Sequence, residues 1–371
     1  MSVWGGASPH LHQAEETQKE TTVTMNMTLE YNYSEYYDDS GDDYSPCSLG
    51  SAMDFGIVFI TVLYSLVFIL GFIGNALVLS VLVRYRNQTT LTDICLVNLA
   101  LSDLLFIVTL PLYTHYALVK EWTHGGFLCH FSGGSMSTGF FSSIFILVVM
   151  TVDRYVVILH SAKVAKYRTV GTGVALTVVV WLLSLCVSMP AFIFTKETNE
   201  SYGIDCSYKP DNKIWNVYNI SANNVVGLVL PLLVMVLCYS RIIPVLMKMR
   251  SSKKKRIVKL IVAIVVVFFL LWTPYNISVF LEFLQSELTL LNDCNSINNV
   301  KLSVIVSEAL ALSHCCLNPI IYAFLGQRFM RRCKLLLSQC VPGMKHSRRD
   351  SDNFPKNSSV VTMSSESTFF I

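Results

Sequence analysis

Charged residues are scarce in this chain of 371 residues: Asp, Glu, Lys and Arg make up 14% of it, whereas hydrophobic residues make up 53%. A soluble domain carries about 25% charged residues, so the composition argues against a soluble protein. The apolar residues are concentrated in seven segments, and the first of them has no charged side chain at all. The segments lie at about 55–83, 94–119, 126–152, 170–194, 214–239, 260–281 and 302–325.

The length of these segments predicts their structure. A hydrocarbon core about 30 Å thick requires about 20 apolar residues in a helix, and only helices or closed barrels satisfy their backbone hydrogen bonds within lipid. Helices of a soluble core are mostly shorter and carry a charged face. We therefore predict an all-α membrane protein, a seven-transmembrane helix bundle formed by residues 55–325.

Features of other protein classes are missing from the sequence. We find neither the internal repeat nor the paired broken helices that are typical of transporters. No nucleophile–base arrangement suggests an enzyme, and no Cys-x-x-C or Cys/His spacing suggests a zinc site. We therefore expect no catalytic activity, no resident metal, no organic cofactor and no nucleic-acid partner.

Acidic residues are absent around the loop between the fifth and sixth segments, where eight bases lie. These bases are Arg241, Lys248, Arg250, Lys253, Lys254, Lys255, Arg256 and Lys259. The first 54 residues are the reverse, with ten acids and one base, Lys19. Because basic loops stay cytoplasmic, the N-terminus is predicted to lie outside and the C-terminus in the cytosol. Residues 1–20 lack the apolar stretch of a cleavable signal peptide, so the first segment is expected to direct insertion itself.

Sites of modification follow from this orientation. Three Asn-x-Ser/Thr motifs fall on the predicted outer side, at Asn26, Asn32 and Asn199, where glycans can be attached. Four further matches fall within the membrane, beside it or in the cytosol, and are expected to stay unmodified: Asn87, Asn219, Asn276 and Asn357.

The 11 cysteines differ in their predicted depth. Four lie on the oxidising outer side: Cys47, Cys129, Cys206 and Cys294. Four cysteines allow three sets of pairs, and the residues alone do not choose among them. Five others lie in or beside the apolar segments as small hydrophobic residues. Cys333 and Cys340 are cytosolic candidates for palmitoylation.

Two acids lie within the predicted membrane region. Asp103 is near its middle, where a charge costs at least about 2.5 kcal/mol, and Glu308 is near the outer end of the seventh segment. Both are predicted to face the bundle interior, and a polar network or ion site is favoured for Asp103 over a protonated core acid. Five segments contain a proline, which removes a backbone hydrogen bond and permits a kink. These prolines are Pro111, Pro190, Pro231, Pro274 and Pro319.

Short motifs mark the third, sixth and seventh segments: Asp153-Arg154-Tyr155, Trp272-Thr273-Pro274 and Asn318-Pro319-Ile320-Ile321-Tyr322. An acid beside an Arg at a helix end is by itself usually a solvated pair worth under about 1 kcal/mol. Combined with matches in the other four segments, however, these motifs resemble those of the rhodopsin-like G-protein-coupled receptors. The further matches are Gly74-Asn75, Ala100-Leu101-Ser102-Asp103, Trp181 and Pro231 with Tyr239. The resemblance covers about residues 55–340.

A narrower resemblance is to the chemokine receptors. It rests on Thr109-Leu110-Pro111, on Ser313-His314-Cys315-Cys316-Leu317-Asn318-Pro319, on Glu308 and on the extra Cys47 and Cys294. The stretches 228–235 and 272–277 favour the CC branch. The family implies the disulfide pairs Cys129–Cys206 and Cys47–Cys294. Closing loops of this length stabilises a fold by about 4 kcal/mol in the chain-entropy model.

The resemblance also implies how a ligand is bound. Chemokines are typically basic, and the acidic N-terminal arm, residues 1–54, would attract them before the ligand's flexible N-terminus enters the bundle. Considered without the resemblance, the composition of the arm predicts a solvated, disordered segment. The residues expected to contact ligand are Asp38, Asp39, Asp42, Asp43, Tyr64, Tyr113, Tyr116, Tyr275 and Glu308, the last pairing with the ligand's amine. The tyrosines expected to be sulfated are Tyr31, Tyr33, Tyr36, Tyr37 and Tyr44.

A conformational switch is the implied mechanism. Asp153 would hold Arg154 in the inactive state, and pressure near Trp272 would swing the inner half of the sixth helix outward to admit a G protein. The residues assigned to this switch are Asp153, Arg154, Tyr155, Tyr239, Phe268, Trp272, Pro274, Asn318, Pro319 and Tyr322. An allosteric sodium ion would be held by Asp103, Asn75, Ser143 and Asn318, although Gly139 and His314 stand where many such receptors have Asn.

The remaining implications concern partners. A plasma-membrane receptor of this family couples to a heterotrimeric G protein, here of the inhibitory class, and drives calcium signalling and chemotaxis. Residues 326–340 predict a short amphipathic eighth helix on the inner leaflet, in contact with membrane lipids. Residues 341–371 are predicted to form a disordered cytoplasmic tail. Receptor kinases would phosphorylate its Ser and Thr residues, and arrestin would then bind.

Two alternatives to a signalling chemokine receptor stay open. A scavenging chemokine receptor would couple to arrestin only, although such receptors often have altered residues where this chain keeps Asp153-Arg154-Tyr155. A receptor for another peptide would have no need of Cys47 and Cys294. Related receptors often have Trp at the place of Tyr113 and Tyr at the place of Met136, so the sequence leaves the identity of the chemokine open.

Overall fold

Within the residues that it describes, the computed structural model contains seven helical stretches that are long and apolar enough to cross a membrane. The structure describes residues 50–84, 90–160, 169–200, 203–248, 252–288 and 294–325, together with Met330 and Cys333. We number the stretches spans one to seven: Phe55–Arg84, Leu91–Val119, Gly126–Leu159, Val170–Phe194, Lys213–Lys248, Ile261–Gln285 and Asn295–Ile321. The predicted seven-helix fold is therefore confirmed.

Several helices extend beyond the predicted apolar segments. Span one belongs to the helix Gly50–Arg84, span three to Gly126–Leu159, and span six to Ser252–Leu288. Hydropathy marks only the part of a helix that lies in lipid, whereas intrahelical hydrogen bonds continue into water until a cap or breaker ends them. Of the predicted eighth helix, Met330 and Cys333 are helical, and its other residues lie outside the described ranges.

Three spans are interrupted. Span two consists of the helices Leu91–Ile107 and Leu110–Val119, and Pro111 lies in the first turn of the second helix. Its missing N–H group is not needed there, because the first turn of a helix has no intrahelical acceptors for those donors. Span seven breaks at Ser313, between the helices Cys294–Leu312 and His314–Leu325.

Span five has a different kind of interruption. The helix Lys213–Ser221 continues into a π-helix, Ala222–Val229, before the α-helix Leu230–Lys248. A π-helix widens the turn and commonly occurs at functional sites. Of the other predicted prolines, Pro231 is the second residue of the helix Leu230–Lys248, and Pro190, Pro274 and Pro319 lie inside the helices Val170–Phe194, Ser252–Leu288 and His314–Leu325.

A β-hairpin covers one end of the bundle, which we call the hairpin end. Its strands are β1, Thr195–Glu200, and β2, Gly203–Tyr208, paired antiparallel with Glu197 opposite Cys206. Cys206 forms a disulfide with Cys129 at the start of span three, with 5.8 Å between the Cα atoms. This pair, implied by the family resemblance, is confirmed. Cys47 and the side chain of Cys294 lie outside the described residues, so the second pair stays a prediction.

Small residues bring span three close to its neighbours. A Cβ atom at Gly134 would overlap the ring of Phe192 in span four, and one at Gly133 would overlap Thr195 of β1. Small residues of this kind allow close helix packing where lipid provides no hydrophobic drive. The hairpin is therefore held against span three by both the disulfide and the packing of the Thr195 side chain on Gly133.

Candidate functional site

A cavity of about 380 Å³ opens at the hairpin end of the bundle. Side chains from spans two to seven and from both hairpin strands line it. Its aromatic wall includes Phe140 and Trp272, whose ring centroids are 4.5 Å apart. Two acids, Glu282 and Glu308, also line it, and no described residue of the lining is Lys or Arg. The cavity therefore suits a ligand with a positively charged, partly apolar end.

Three tyrosines lie near Glu308. Tyr64, Tyr113 and Tyr275 each lie within electrostatic reach of its carboxylate. The Tyr113 hydroxyl is also 2.8 Å from the Ser132 hydroxyl. Of these predicted ligand contacts, Tyr275 and Glu308 line the cavity, whereas Tyr64 and Tyr113 are buried and are not among its lining residues.

Tyr116 lies elsewhere. Its side chain is fully buried, its hydroxyl donates to the carboxylate of Asp205 in β2, and its ring packs on Trp122 at 5.8 Å. It is not part of the cavity lining described above. Asp205 also accepts a hydrogen bond of 2.6 Å from the Ser207 hydroxyl. Tyr116 therefore anchors the hairpin rather than forming a wall of the cavity.

Several cavity residues were not predicted from the sequence. They are Glu282 of span six, Tyr208 of β2 and three amides of span five, Asn216, Asn219 and Asn223. Burial, with a smaller contribution from neighbouring Tyr218, raises the pKa of Tyr208 to about 12. The Tyr208 hydroxyl donates to the backbone carbonyl of Trp215 at 3.0 Å. The spacing of three and four between the amides was a visible signal of a shared helix face.

An aromatic cluster forms the base of the cavity. Trp272 packs against Phe268 at 5.8 Å and His314 at 5.5 Å, and Tyr275 lies 5.7 Å from it on the cavity side. The predicted switch residues of span six thus contact one another, with Pro274 between Trp272 and Tyr275 in the same helix. A ligand that reaches Trp272 would press on this cluster.

A polar cluster lies deeper in the bundle, around the fully buried Asp103. The Asn318 amide donates to one Asp103 carboxylate oxygen at 2.9 Å. The Asn75 amide donates to the backbone oxygens of Gly71 and Cys315, each at 2.9 Å. Asp103 therefore belongs to a polar network, as its position in the sequence suggested.

His314 makes this cluster unusual. Its Nδ1 atom lies 2.6 Å from the Ala311 carbonyl oxygen, and a carbonyl only accepts, so Nδ1 carries the proton. The other ring nitrogen, Nε2, lies 3.5 Å from the second carboxylate oxygen of Asp103. A neutral ring would present a lone pair to that oxygen, so a further proton or a cation is needed between them.

Three of the four predicted sodium ligands present an oxygen atom that suits a cation. Asp103 Oδ1, Asn75 Oδ1 and Ser143 Oγ are buried and make no hydrogen bond within the described part of the chain. Carboxylate, amide and hydroxyl oxygens are the ligands that hard cations prefer. Asn318 differs, because its amide group donates to Asp103. Gly139 contributes no ligand atom, whereas His314 places a nitrogen beside the carboxylate.

The opposite end of the bundle carries Arg154, whose side chain is buried. Its guanidinium lies 2.8 Å from the Asp153 carboxylate and also donates to the Thr92 hydroxyl of span two. The Asp153–Arg154 pair of the predicted inactive state is present, and Thr92 is a second partner that sequence reasoning missed.

The other switch residues at that end lie on spans three, five and seven. The Tyr239 hydroxyl is 3.3 Å from that of Thr151 in span three, and the Tyr155 ring is 6.0 Å from that of His160. Pro319 packs against Gly74 of span one. Tyr322 lies in the helix of span seven, and its side chain is outside the described residues.

The remaining predicted sites are at the hairpin or beyond the described ranges. Asn199 is exposed in β1, as a glycan acceptor requires. The other predicted glycan acceptors, the four aspartates of the arm that are predicted to contact ligand, and the candidate sulfotyrosines all lie outside the described residues.

Comparisons with known proteins relate this arrangement to a family. Residues 74–322 match the family described as 7 transmembrane receptor (rhodopsin family). The chain is 39% identical to the C-C chemokine receptor type 1 of Homo sapiens over 324 residues, which cover 86% of this chain and 89% of that receptor. It is 42% identical to the CX3C chemokine receptor 1 of Rattus norvegicus over 308 residues, 82% of this chain and 84% of that receptor. The identity to the Mus musculus CX3C chemokine receptor 1 is 41% over 331 residues, 85% and 91% of the two chains.

Proposed function

We propose that this chain, which belongs to the rhodopsin family of seven-transmembrane receptors and within it to the chemokine receptors, is a signalling receptor for a basic chemokine. The observation that carries the proposal is the cavity at the hairpin end, whose lining includes the acids Glu282 and Glu308 together with Tyr275 and no described Lys or Arg. At the opposite end, the partners of Arg154 supply a latch that ligand binding can release. The chain thus acts as a ligand-gated switch rather than as a catalyst.

The proposed orientation places the hairpin end outside the cell. The basic residues between spans five and six and the acidic N-terminal arm support it. A plasma-membrane receptor oriented in this way presents Asn199 to the glycosylation machinery and its C-terminal tail to receptor kinases and arrestin. The G protein is proposed to be of the inhibitory class, as expected for the family.

The ligand class is proposed to be CC, on the strength of stretches 228–235 and 272–277. Because relatives named for C-C and CX3C chemokines match this chain with similar identity, both classes belong in the test. Cells that express the chain should be screened for calcium release against a panel of both. Release that is blocked by a toxin specific for inhibitory G proteins is the expected result.

Two results would redirect the proposal. Arrestin recruitment without calcium release would favour the scavenging alternative, against which the intact Asp153–Arg154 pair argues. Absence of binding by every panel member, with the chain shown at the cell surface, would contradict a chemokine ligand.

The acidic arm should determine how fast the ligand associates. Neutralising Asp38, Asp39, Asp42 and Asp43 together should slow association and flatten its dependence on ionic strength, because exposed charges steer a basic ligand and are screened by salt. Binding kinetics at two salt concentrations test this. An unchanged association rate at low salt would show that the arm does not attract the ligand.

We also propose that Asp103, Asn75 and Ser143 hold a sodium ion, because each presents a buried oxygen without a hydrogen-bond partner among the described residues. Such an ion would supply a positive charge beside the Asp103 carboxylate. Replacing sodium by choline in the medium should raise agonist affinity, and Ser143→Ala should reduce that response. Equal affinity in both media would contradict the proposal.

A further inference from the structure

We propose that three amide side chains of span five, Asn216, Asn219 and Asn223, form a subsite for the peptide backbone of the ligand's N-terminal segment. The ligand class is an extended peptide, recognised through its main chain rather than through particular side chains. This inference rests on the proposed function, since it takes the cavity to be the place that the ligand's N-terminus enters.

The three amides form a stripe along one helix face. Their spacing of three and four residues places them on the same side of span five, and all three line the cavity. At 1.5 Å per residue, the distance along the axis from Asn216 to Asn223 is about 10 Å. Three residues of an extended chain at about 3.3 Å each have the same length.

The amides of the stripe retain hydrogen-bonding capacity. Within the described residues, their side chains make one mutual contact, from Asn223 Nδ2 to Asn219 Oδ1 at 3.5 Å, which is at the limit for a hydrogen bond. Other asparagines of the bundle bond to their own helix: Asn224 donates to the Ile220 carbonyl at 3.0 Å and Asn276 to the Trp272 carbonyl at 2.9 Å. Each stripe amide can therefore still donate and accept.

Partial burial makes a polar partner necessary once the cavity is filled. All three amides are half-buried, and a ligand that excludes water without replacing its hydrogen bonds would bind more weakly. A peptide backbone offers one donor and one acceptor per residue, which matches the donor and acceptor of each amide. A phosphate-containing ligand would need a cation, and the described lining has no Lys or Arg.

The stripe shares the cavity with chemically different residues. A Cβ atom at Gly227, inside the π-helix of span five, would overlap the ring of Phe140, so the backbone of span five packs directly on the aromatic wall. Apolar ligand side chains can contact Phe140 and Trp272, and basic groups can pair with Glu282 and Glu308. The neutral amides are left to bind the main chain.

The experiment pairs receptor variants with backbone-modified chemokines. The probe is the panel chemokine with the strongest calcium response, made by semisynthesis with an ester in place of one backbone amide in residues 2, 3 or 4. Asn219→Ala should weaken binding of the unmodified chemokine by roughly 2- to 12-fold, the value of one hydrogen bond. One of the esters should cause a similar loss on the wild-type receptor and little further loss on Asn219→Ala.

Asn224→Ala is the matched control, because it removes the same kind of side chain from the same span at a position that is not among the cavity-lining residues. It should leave affinity unchanged, with surface expression and thermal stability of both variants measured alongside. Equal affinities for the Asn219 and Asn224 variants, or fully additive losses at every ester position, would overturn the subsite while leaving the proposed function intact. If no panel chemokine binds the wild-type receptor, both the proposed function and the proposed subsite are wrong.

Discussion

Arg154→Ala should abolish agonist-driven nucleotide exchange on the G protein while chemokine affinity stays within about threefold of wild type, less than 1 kcal/mol. Arg154 lies at the end of the bundle opposite the cavity, so its loss removes no ligand contact. Its guanidinium is buried and held by Asp153 at 2.8 Å and by the Thr92 hydroxyl. In the proposed switch the released side chain helps to form the G-protein site, and alanine cannot do so.

Variants of the two latch partners should have the opposite effect. Asp153→Asn and Thr92→Val each weaken or remove a hydrogen bond to the guanidinium, and such bonds are worth about 1.5–3 kcal/mol. The equilibrium should therefore shift toward the active state by roughly tenfold or more, which raises exchange without agonist. Exchange assays on membranes, normalised to receptor number, measure both effects. Normal agonist-driven exchange by Arg154→Ala, or unchanged basal exchange by both partner variants, would contradict the latch.

The seven spans could be predicted because the bilayer sets a single length requirement. An apolar stretch such as 55–83 meets it without reference to any other part of the chain. Helix ends outside lipid depend instead on local caps, such as the Thr90 side chain that accepts from the Asp93 N–H. Hydropathy therefore located the spans correctly and underestimated the helices.

The interruptions within the spans could not be predicted, because they depend on packing between elements that are distant in sequence. A proline removes one backbone donor, but neighbouring elements decide how the freed groups are satisfied. Pro111 begins a new helical segment, whereas Pro274 lies in an uninterrupted helix. The π-helix of span five ends just before Pro231 and had no distinct sequence signal.

At the sites, the sequence mainly failed to show which residues far apart along the chain contact each other. Tyr113 and Tyr116 are three residues apart and looked equivalent, yet Tyr116 bonds to Asp205, which is 89 residues further along the chain. Thr92 and Arg154 meet in the same way across 62 residues. The residues alone also left the outer cysteine pairs open, and only the family resemblance chose Cys129–Cys206. Side-chain identity thus indicated which groups were functional, but only the fold shows which ones touch.

Glu308→Gln should cause a large loss of potency and maximal response with little change in the association rate. Glu308 lines the cavity together with Tyr275, and its carboxylate is proposed to pair there with the ligand's amine after the exposed arm has captured the ligand. Truncating a buried charged pair costs about 2–5 kcal/mol, roughly 30-fold or more in affinity, and acts mainly on dissociation. Glutamine keeps the size of the side chain and its hydrogen-bonding capacity, so the receptor should still fold.

Glu282→Gln is the natural comparison, because it neutralises the second acid of the same cavity. If the two acids act only through the negative potential of the cavity, both variants should lose the same potency. If Glu308 pairs specifically with the ligand's amine, Glu308→Gln should lose more potency than Glu282→Gln. The arm variant provides the other contrast, since exposed charges act on association and are screened by salt. Binding kinetics at two salt concentrations, measured beside nucleotide exchange, distinguish the three variants. If Glu308→Gln slows association as much as the arm variant and signals normally at saturation, the proposed division between capture and activation is wrong.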